Sequence, residues 1–118
     1  MAKIAVLPQA ISDMDDIGEY VSRDSLRQAA NVLVKILQTI QRLEHFPEIG
    51  AFIPEMKTRR FREIHVFNYR IIYRFLKKAD EVRVVAIVHA ARQLPVKFFR
   101  ELESIKHEYH TDKTENQA

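Results

Sequence analysis

The sequence contains no cysteine, and glycine accounts for only 2 of its 118 residues. Without cysteine the protein has no disulfide bond, no thiolate metal site and no cysteine nucleophile, as is common in a reducing cytoplasm. Nor does any apolar run approach the roughly 20 residues that a membrane-spanning helix needs. The first segment, MAKIAVLPQAISDMDD, turns acidic too early for the hydrophobic region of a signal peptide. We therefore expect a soluble cytoplasmic protein with no membrane contact.

What the sequence does contain is enough apolar material for one folded domain. Hydrophobic residues make up 47% of a length that suits a single domain, which we place at residues 1–110. Residues 111–118 have no apolar anchor and are predicted to be disordered. The formal net charge of +3 is a mild basic excess, which permits a nucleic-acid or acidic partner without requiring one.

The first part of the chain predicts a strand followed by a helix. Residues Lys3–Leu7 are a short apolar run that ends at Pro8, as expected for a strand. Apolar residues then recur at helical spacing from Ser12. The first turn of this helix would hold carboxylates that the helix dipole favours, namely Asp13, Asp15 and Asp16.

A second helix is predicted to begin at Ser25, whose hydroxyl can cap the helix while Gln28 completes a capping box. Pro47 and Gly50 stop this helix. Its apolar stripe consists of Ala29, Val32, Leu33, Ile36, Ile40, Leu43 and Phe46. The turn at residues 22–24 makes the two helices a hairpin whose apolar stripes need a sheet to pack on.

Three strands close in sequence are predicted to form that sheet as an antiparallel meander: Arg60–Phe67, Tyr69–Leu76 and Val82–His89. The strand Lys3–Leu7 joins an edge of the sheet after the helices cross over. A short final helix begins near Pro95. The fold class is therefore α+β: a small twisted antiparallel sheet with an N-terminal helical hairpin packed on one face and a short C-terminal helix.

The segment YRIIYRF, residues 69–75, places two arginines in the middle strand. Successive side chains of a strand point to opposite faces, so the more apolar face packs under the helices while Arg70 and Arg74 lie on the other face. That face is expected to stay at least partly open to solvent, where Arg60 and Arg62 can join them. Guanidinium groups match phosphate geometry, so such a surface suits a nucleic-acid backbone or an acidic peptide. The alternative is a solvated face with weak ion pairs.

Four segments together resemble the RelE/ParE family of bacterial toxins, the toxin halves of type II toxin–antitoxin modules. They are AISDMDDIGEY at residues 10–20, LEHFPEIG at residues 43–50, the YRIIYRF strand, and IVHAAR at residues 87–92. Their order and spacing cover roughly residues 3–99. The resemblance implies a twisted antiparallel sheet with a helical hairpin on one side, in agreement with the fold that the pattern predicts.

The resemblance implies one of two activities. RelE-like members cleave messenger RNA on the ribosome, with basic residues and usually a tyrosine or histidine as proton acceptor, whereas ParE-like members poison DNA gyrase. If this chain cleaves RNA, the resemblance makes Arg70 and Arg92 the phosphate-stabilising groups and His89 the proton carrier, all on one face of the sheet. Arg60 and Arg62 stand near the basic pair of RelE-like members.

The tyrosine of RelE-like toxins is missing, because Phe98 and Phe99 follow the last arginine and a phenyl ring cannot take a proton. His89 could substitute, since imidazole titrates near neutrality. The His-x-x-Arg pattern after the last strand and the Phe-Pro-x-x-Gly helix exit are nevertheless closer to ParE-like members. We therefore predict a gyrase poison, with a ribosome-dependent endoribonuclease and an inactive toxin fold as alternatives. The predicted target-binding residues are Arg60, Arg62, Arg70, Arg74 and Arg92.

Whichever of these activities the chain has, the resemblance implies a cognate antitoxin and a toxin–antitoxin hetero-oligomer. No cofactor and no metal are expected. Such antitoxins wrap their toxins with a segment that folds on binding. The final helix is a candidate for that contact, because a helix held by one apolar stripe is easily displaced. Its stripe consists of Phe99, Leu102, Ile105 and Tyr109. Ordinary packing of this helix against the sheet edge is the alternative.

Overall fold

The computed structural model describes residues 1–101, and the predicted tail at residues 111–118 lies outside this range. The elements are β1 (Lys3–Val6), α1 (Pro8–Ser22), α2 (Leu26–Arg42), β2 (Ala51–Phe52), β3 (Arg62–Val66), β4 (Tyr69–Leu76) and β5 (Glu81–His89). Residues 96–101 are helical. Within residues 1–101, no helix combines the length and apolar character needed to cross a membrane.

The strands form one sheet in the order β1-β5-β4-β3-β2. β3, β4 and β5 make the antiparallel meander that the sequence predicts, and β1 lies at an edge. β1 runs parallel to β5, so the sheet is mixed, as the long helical crossover between a parallel pair allows. The α+β architecture with its helical hairpin is therefore confirmed, and β2 is an additional short edge strand that the sequence pattern did not reveal.

Helix α1 begins earlier than predicted. Pro8 occupies its first turn, where the fixed φ of proline suits the helix and its missing amide hydrogen costs nothing. Because of this early start, the first turn contains no acidic residue. The prediction that Asp13, Asp15 and Asp16 sit in the first turn is therefore wrong, and Asp13 has a different role, described below.

Helix α2 begins as predicted, since the Ser25 hydroxyl accepts a hydrogen bond from the Gln28 amide at 3.1 Å. The helix ends at Arg42, well before Pro47, and its last turn tightens as the Leu43 amide bonds to the Ile40 carbonyl. Phe46, predicted to belong to the buried stripe, is 59% exposed because the helix has already ended.

The main core lies between the helical hairpin and one face of the sheet. Ile71 and Tyr73 of β4 are fully buried there, and Tyr69 and Phe75 pack against the same cluster. This is the face of β4 that the sequence predicted to lie under the helices. The helices contribute Ala10, Ile17, Val32, Ile36 and Ile40, with Leu43 just beyond α2.

The opposite face of the sheet, predicted to stay at least partly open to solvent, is mostly covered. A second apolar cluster covers it, in which Phe61 and Phe99 lie 5.6 Å apart, centroid to centroid. The cluster consists of Leu7, Ile53, Phe61, Ile72, Val85, Ala86, Val88, Leu94 and Phe99. The register of β4 against β5 shifts between Ile72 and Tyr73, which turns both Val85 and Ala86 toward this cluster.

Candidate functional site

Arg70 is enclosed by two carboxylates on the second face of the sheet. Its Nε donates to Glu63 at 2.6 Å, and its two terminal nitrogens donate to the two oxygens of Glu55 at 2.7 Å each. One terminal nitrogen also donates to the Arg92 carbonyl at 3.2 Å. Only 5% of the Arg70 side chain is exposed. We call Arg70, Glu55 and Glu63 the Arg70 network.

The Arg70 network links the loop after β2, which contains Glu55, to the sheet. Its hydrogen bonds engage the Arg70 donors that a phosphate would need. The hydrogen bonds from Arg70 hold the pKa of Glu55 below its usual value, against the opposing effect of burial. Bidentate arginine–carboxylate pairs are strong because their geometry is matched. Arg70, predicted to bind target or substrate from an open face, is therefore a buried member of an ion-pair network.

His89 lies on the other face of the sheet. It pairs with Tyr69, which packs toward the helices, whereas Arg70 pairs with Val88, a member of the second cluster. The His89 ring is exposed, stands 6.0 Å from the Tyr69 ring and accepts a hydrogen bond at Nδ1 from the Ala91 amide. The structure thus does not bring His89 and Arg70 together on one face, as the ribonuclease interpretation required.

A groove of about 520 Å³ lies between α1 and the end of β5. Arg92 lies at its border and is exposed, with its guanidinium 5.8 Å from the Phe98 ring centroid. Tyr20 is 67% exposed on the α1 side. The groove is lined by Asp13, Asp16, Ile17, Tyr20, Asn68, Tyr69, Ile87, Val88, His89 and Arg92. His89 and Arg92 therefore share this groove.

Asp13 completes the sheet from the helix side. Pairing of β1 with β5 ends at Val84, and the amide of Ile87 further along β5 donates to Asp13 Oδ2 at 2.8 Å. Gln9 donates to the other oxygen at 2.9 Å. Burial raises the pKa of Asp13, and the hydrogen bond from the Ile87 amide opposes that rise. Asp13 thus replaces a missing strand partner for β5, which the sequence pattern alone did not indicate.

The turn between β3 and β4 presents an aromatic ring in a strained backbone conformation. Phe67 has φ of 52° and is 61% exposed. A bulky residue in the left-handed region is an outlier, since its Cβ crowds the backbone. The neighbouring Asn68 lines the groove that holds His89 and Arg92. An exposed aromatic side chain therefore stands beside this groove at a conformational cost.

Replacing Phe67 with glycine is expected to raise the free energy of unfolding by about 1 kcal/mol, because glycine adopts positive φ without strain. Chemical denaturation of the purified variant measures this change. Asn68→Gly is the matched control at the adjacent turn position, where φ is not positive, and it should lower stability by about 0.5–1 kcal/mol through the greater entropy of the unfolded chain. Equal losses in both variants would contradict strain at Phe67.

The remaining predicted arginines do not converge on one face. Arg62 pairs with Tyr73 and so lies on the helix side, while Arg60 is exposed in the turn before β3. Arg74 is half-buried opposite Arg83, whose Nε donates to Glu81 at 2.8 Å. Arg60 and Arg62 do meet at another cavity of about 290 Å³, whose lining also includes Arg59, Lys77, Glu48, Phe52 and Phe75.

The predicted antitoxin-contact residues fall largely outside the described range. Phe99 is fully buried in the second cluster, and Leu102, Ile105 and Tyr109 lie beyond residue 101. Within residues 1–101, no group of three or more histidine, aspartate or glutamate side chains is arranged to hold a metal ion.

Comparison with known proteins identifies a family. The family model of the ParE toxin of type II toxin–antitoxin systems matches residues 4–94. A comparison with curated protein sequences finds no match.

Solved structures share the fold at low sequence identity. The chromosomal ParDE system from P. aeruginosa contains a chain with a TM-score of 0.63 and 18% identity, covering 75% of this chain and 96% of that one. The RelBE2 toxin–antitoxin complex from Mycobacterium tuberculosis gives 0.57 and 13%, covering 75% and 96%. The isolated E. coli RelE toxin gives 0.53 and 16%, covering 89% and 99%.

Proposed function

The chain belongs to the ParE toxin family of type II toxin–antitoxin systems, and from this premise we propose that it inhibits growth as a non-catalytic poison of DNA gyrase. Its action is to bind the enzyme and stall it on cleaved DNA. The target places this activity in the cytoplasm. A cognate antitoxin holds the toxin inactive until it is released.

The observation that carries the proposal is the enclosure of Arg70. Cleavage of RNA through its 2′-hydroxyl needs a base at that oxygen and cationic groups at the same phosphate. The Arg70 guanidinium is hydrogen-bonded to Glu55 and Glu63, and His89 lies on the opposite face of the sheet. A phosphate held by Arg70 would have to compete with three short hydrogen bonds to two carboxylates. This arrangement supports a binding role over ribonuclease catalysis.

The aromatic pair near the end of the described chain gives further support. Phe98 and Phe99 stand where RelE-like toxins carry a tyrosine, and a phenyl ring has no proton to exchange. Phe99 is fully buried and packs against Phe61 and Phe98. Both rings therefore contribute to the packing of the second cluster and not to proton transfer. Arg92, by contrast, is an exposed cation suited to binding a target.

The antitoxin contact is proposed at the stripe of Phe99, Leu102, Ile105 and Tyr109. Because Phe99 contributes to the second cluster, an antitoxin segment that takes its place has to supply apolar side chains of its own. A segment that folds on binding can do so while it also covers basic surface. The toxin–antitoxin complexes among the solved structures that share this fold are in keeping with such a partner.

Two assays of the purified chain test the proposed target. One follows gyrase-driven supercoiling of relaxed plasmid DNA, and the other follows messenger integrity in a reconstituted translation system. We expect supercoiling to be inhibited and messengers to remain intact. Cut messengers together with normal supercoiling would overturn the proposal and favour the ribonuclease alternative, whereas no effect in either assay would favour a toxin fold without activity.

Two groove variants sharpen this test. Arg92→Ala is expected to weaken gyrase inhibition by about tenfold, because truncation of an arginine that anchors an interface costs at least about 1 kcal/mol. His89→Gln should change it by no more than about twofold, as is usual for an exposed side chain outside such an anchor. A His89→Gln variant that loses messenger cleavage but keeps its fold would instead identify His89 as a proton carrier.

A further inference from the structure

Four cations from two segments of the chain line one cavity together with one carboxylate. Arg59 and Arg60 come from the turn before β3, Arg62 opens β3, and Lys77 follows β4. Together they line the cavity of about 290 Å³ that also contains Glu48. We call Arg59, Arg60, Arg62 and Lys77 the basic edge. Three of these cations are neighbours in sequence, and Lys77 joins them from the far end of β4. Bringing a further like charge to such a cluster costs free energy.

Arg62 is held rigidly at the centre of the basic edge. One terminal nitrogen donates to the carbonyl oxygens of Glu48 and Gly50 at 3.1 and 2.8 Å. Its guanidinium lies 4.1 Å from the Phe52 ring centroid, and that of Arg59 lies 5.5 Å from the same ring. Cation–π contacts and backbone acceptors thus orient the guanidinium groups in advance of any ligand.

Glu48 occupies the position that an external anion would take. Its Oε2 lies 3.4 Å from Arg62 and 3.6 Å from Lys77, so both contacts are long. The Glu48 side chain is 49% exposed and that of Lys77 is 74% exposed. An exposed pair such as Lys77–Glu48 contributes little to stability and is readily exchanged. The Arg62 side chain is less exposed, at 17%, but its contact with Glu48 is long. A phosphate, with more acceptor oxygens than a carboxylate, can replace Glu48 at small cost.

We propose that the basic edge is a binding site for the phosphate backbone of duplex DNA. Oriented guanidinium groups match phosphate oxygens, and neutralisation of about three phosphates releases the counterions that drive such binding. The choice of DNA rests on the proposed gyrase function, whose target acts on duplex DNA, while the anion site itself rests on the convergence of cations. DNA is therefore a second contact of the toxin beside its enzyme target.

Binding of a short fluorescein-labelled duplex to the purified chain, followed by fluorescence anisotropy without gyrase, tests the site. Arg59→Ala combined with Lys77→Ala should weaken binding by about tenfold at low salt and reduce the slope of log K against log salt by about two. Arg27→Ala combined with Lys35→Ala removes the same charge from exposed positions of α2 and is the matched control. Equal losses in the two double variants would overturn the proposal.

Glu48→Gln gives a second readout of opposite sign. Removal of the carboxylate that competes with phosphate should tighten DNA binding by about threefold or more. Glu19→Gln, an equal charge change on the exposed side of α1, should have a much smaller effect. Equal tightening in both variants, or tighter binding of polyglutamate or single-stranded RNA than of duplex DNA, would overturn the assignment. Gyrase is absent from this assay. A failure of DNA binding would therefore overturn the basic edge as a DNA site without deciding the proposed inhibition of gyrase, which the supercoiling assay tests.

Discussion

Replacement of Arg70 by alanine is expected to lower the free energy of unfolding by about 3–5 kcal/mol, because it leaves two largely buried carboxylates without a partner. Glu55 and Glu63 are only 11% and 13% exposed, and both bond to Arg70 at 2.7 Å or less. For a domain of this size that is a large part of the total stability. Urea denaturation followed by circular dichroism measures the loss.

A triple variant separates the pairing from the packing of this site. Arg70→Met combined with Glu55→Gln and Glu63→Gln removes all three charges while it keeps side chains of similar size. Buried ion pairs replaced by neutral groups are often no less stable, so the triple variant should recover at least half of the loss. If it is as unstable as Arg70→Ala, the network acts through shape and not through charge.

The Arg70 network also predicts an acid dependence of stability. The pKa of Glu55 is lowered in the folded state from an ordinary value near 4.5. Its contribution is therefore fully present above that value and is lost as the pH falls through the lower, folded pKa. Unfolding curves should show this loss below about pH 4.5 in the wild-type chain, and the triple variant should show a smaller one.

Replacement of Gly50 by alanine is the second change with a large expected effect, about 2–3 kcal/mol of lost stability. A Cβ at this position would lie 2.7 Å from the Glu63 carbonyl oxygen and 2.7 Å from the Tyr73 hydroxyl. One neighbour is backbone and the other is a fully buried side chain, so neither can move freely. The clash would also disturb the hydrogen bond from the Gly50 amide to Tyr73, which is 2.9 Å long.

Gly18 supplies the control, since it is the other glycine of the chain. Its added Cβ would meet only the flexible end of Leu33, at 3.0 Å. Alanine is favoured over glycine inside a helix by about 0.5–1 kcal/mol, so Gly18→Ala should be neutral or stabilising. Thermal unfolding of the two variants compares them directly, and a similar destabilisation of both would show that the approach of Gly50 to Tyr73 is not the cause.

Local signals in the sequence predicted the elements well. The bounds of β4 follow from its β-branched and aromatic run, and Ser25 caps α2 because its hydroxyl reaches the Gln28 amide. The face of β4 that packs under the helices follows from simple alternation. These features depend on neighbours within a few positions, which is the range in which sequence patterns are informative.

The candidate sites depend on contacts that alternation cannot reveal. The pattern places Arg70 and Ile72 on one face, but the loop that brings Glu55 over that face lies 15 residues earlier. One signal of the covered face was present, since β5 is apolar on both sides from Val84 to Val88, as expected of a strand buried on both faces. Half of the basic edge was predicted, namely Arg60 and Arg62, because alternation along one strand relates them. Lys77 and the carboxylate of Glu48 reach the same cavity from distant parts of the chain, which no local pattern shows.

The contact between Asp13 and the Ile87 amide joins positions 74 residues apart, and the pairing of β1 with β5 spans a similar distance. Contacts of such long range form late, because the chain entropy of closing a large loop has to be overcome first. During synthesis, β1 and the helical hairpin emerge from the ribosome long before their strand partner is translated. The sheet can close only when β5 has followed, so the fold is completed only after most of the described chain has been synthesised.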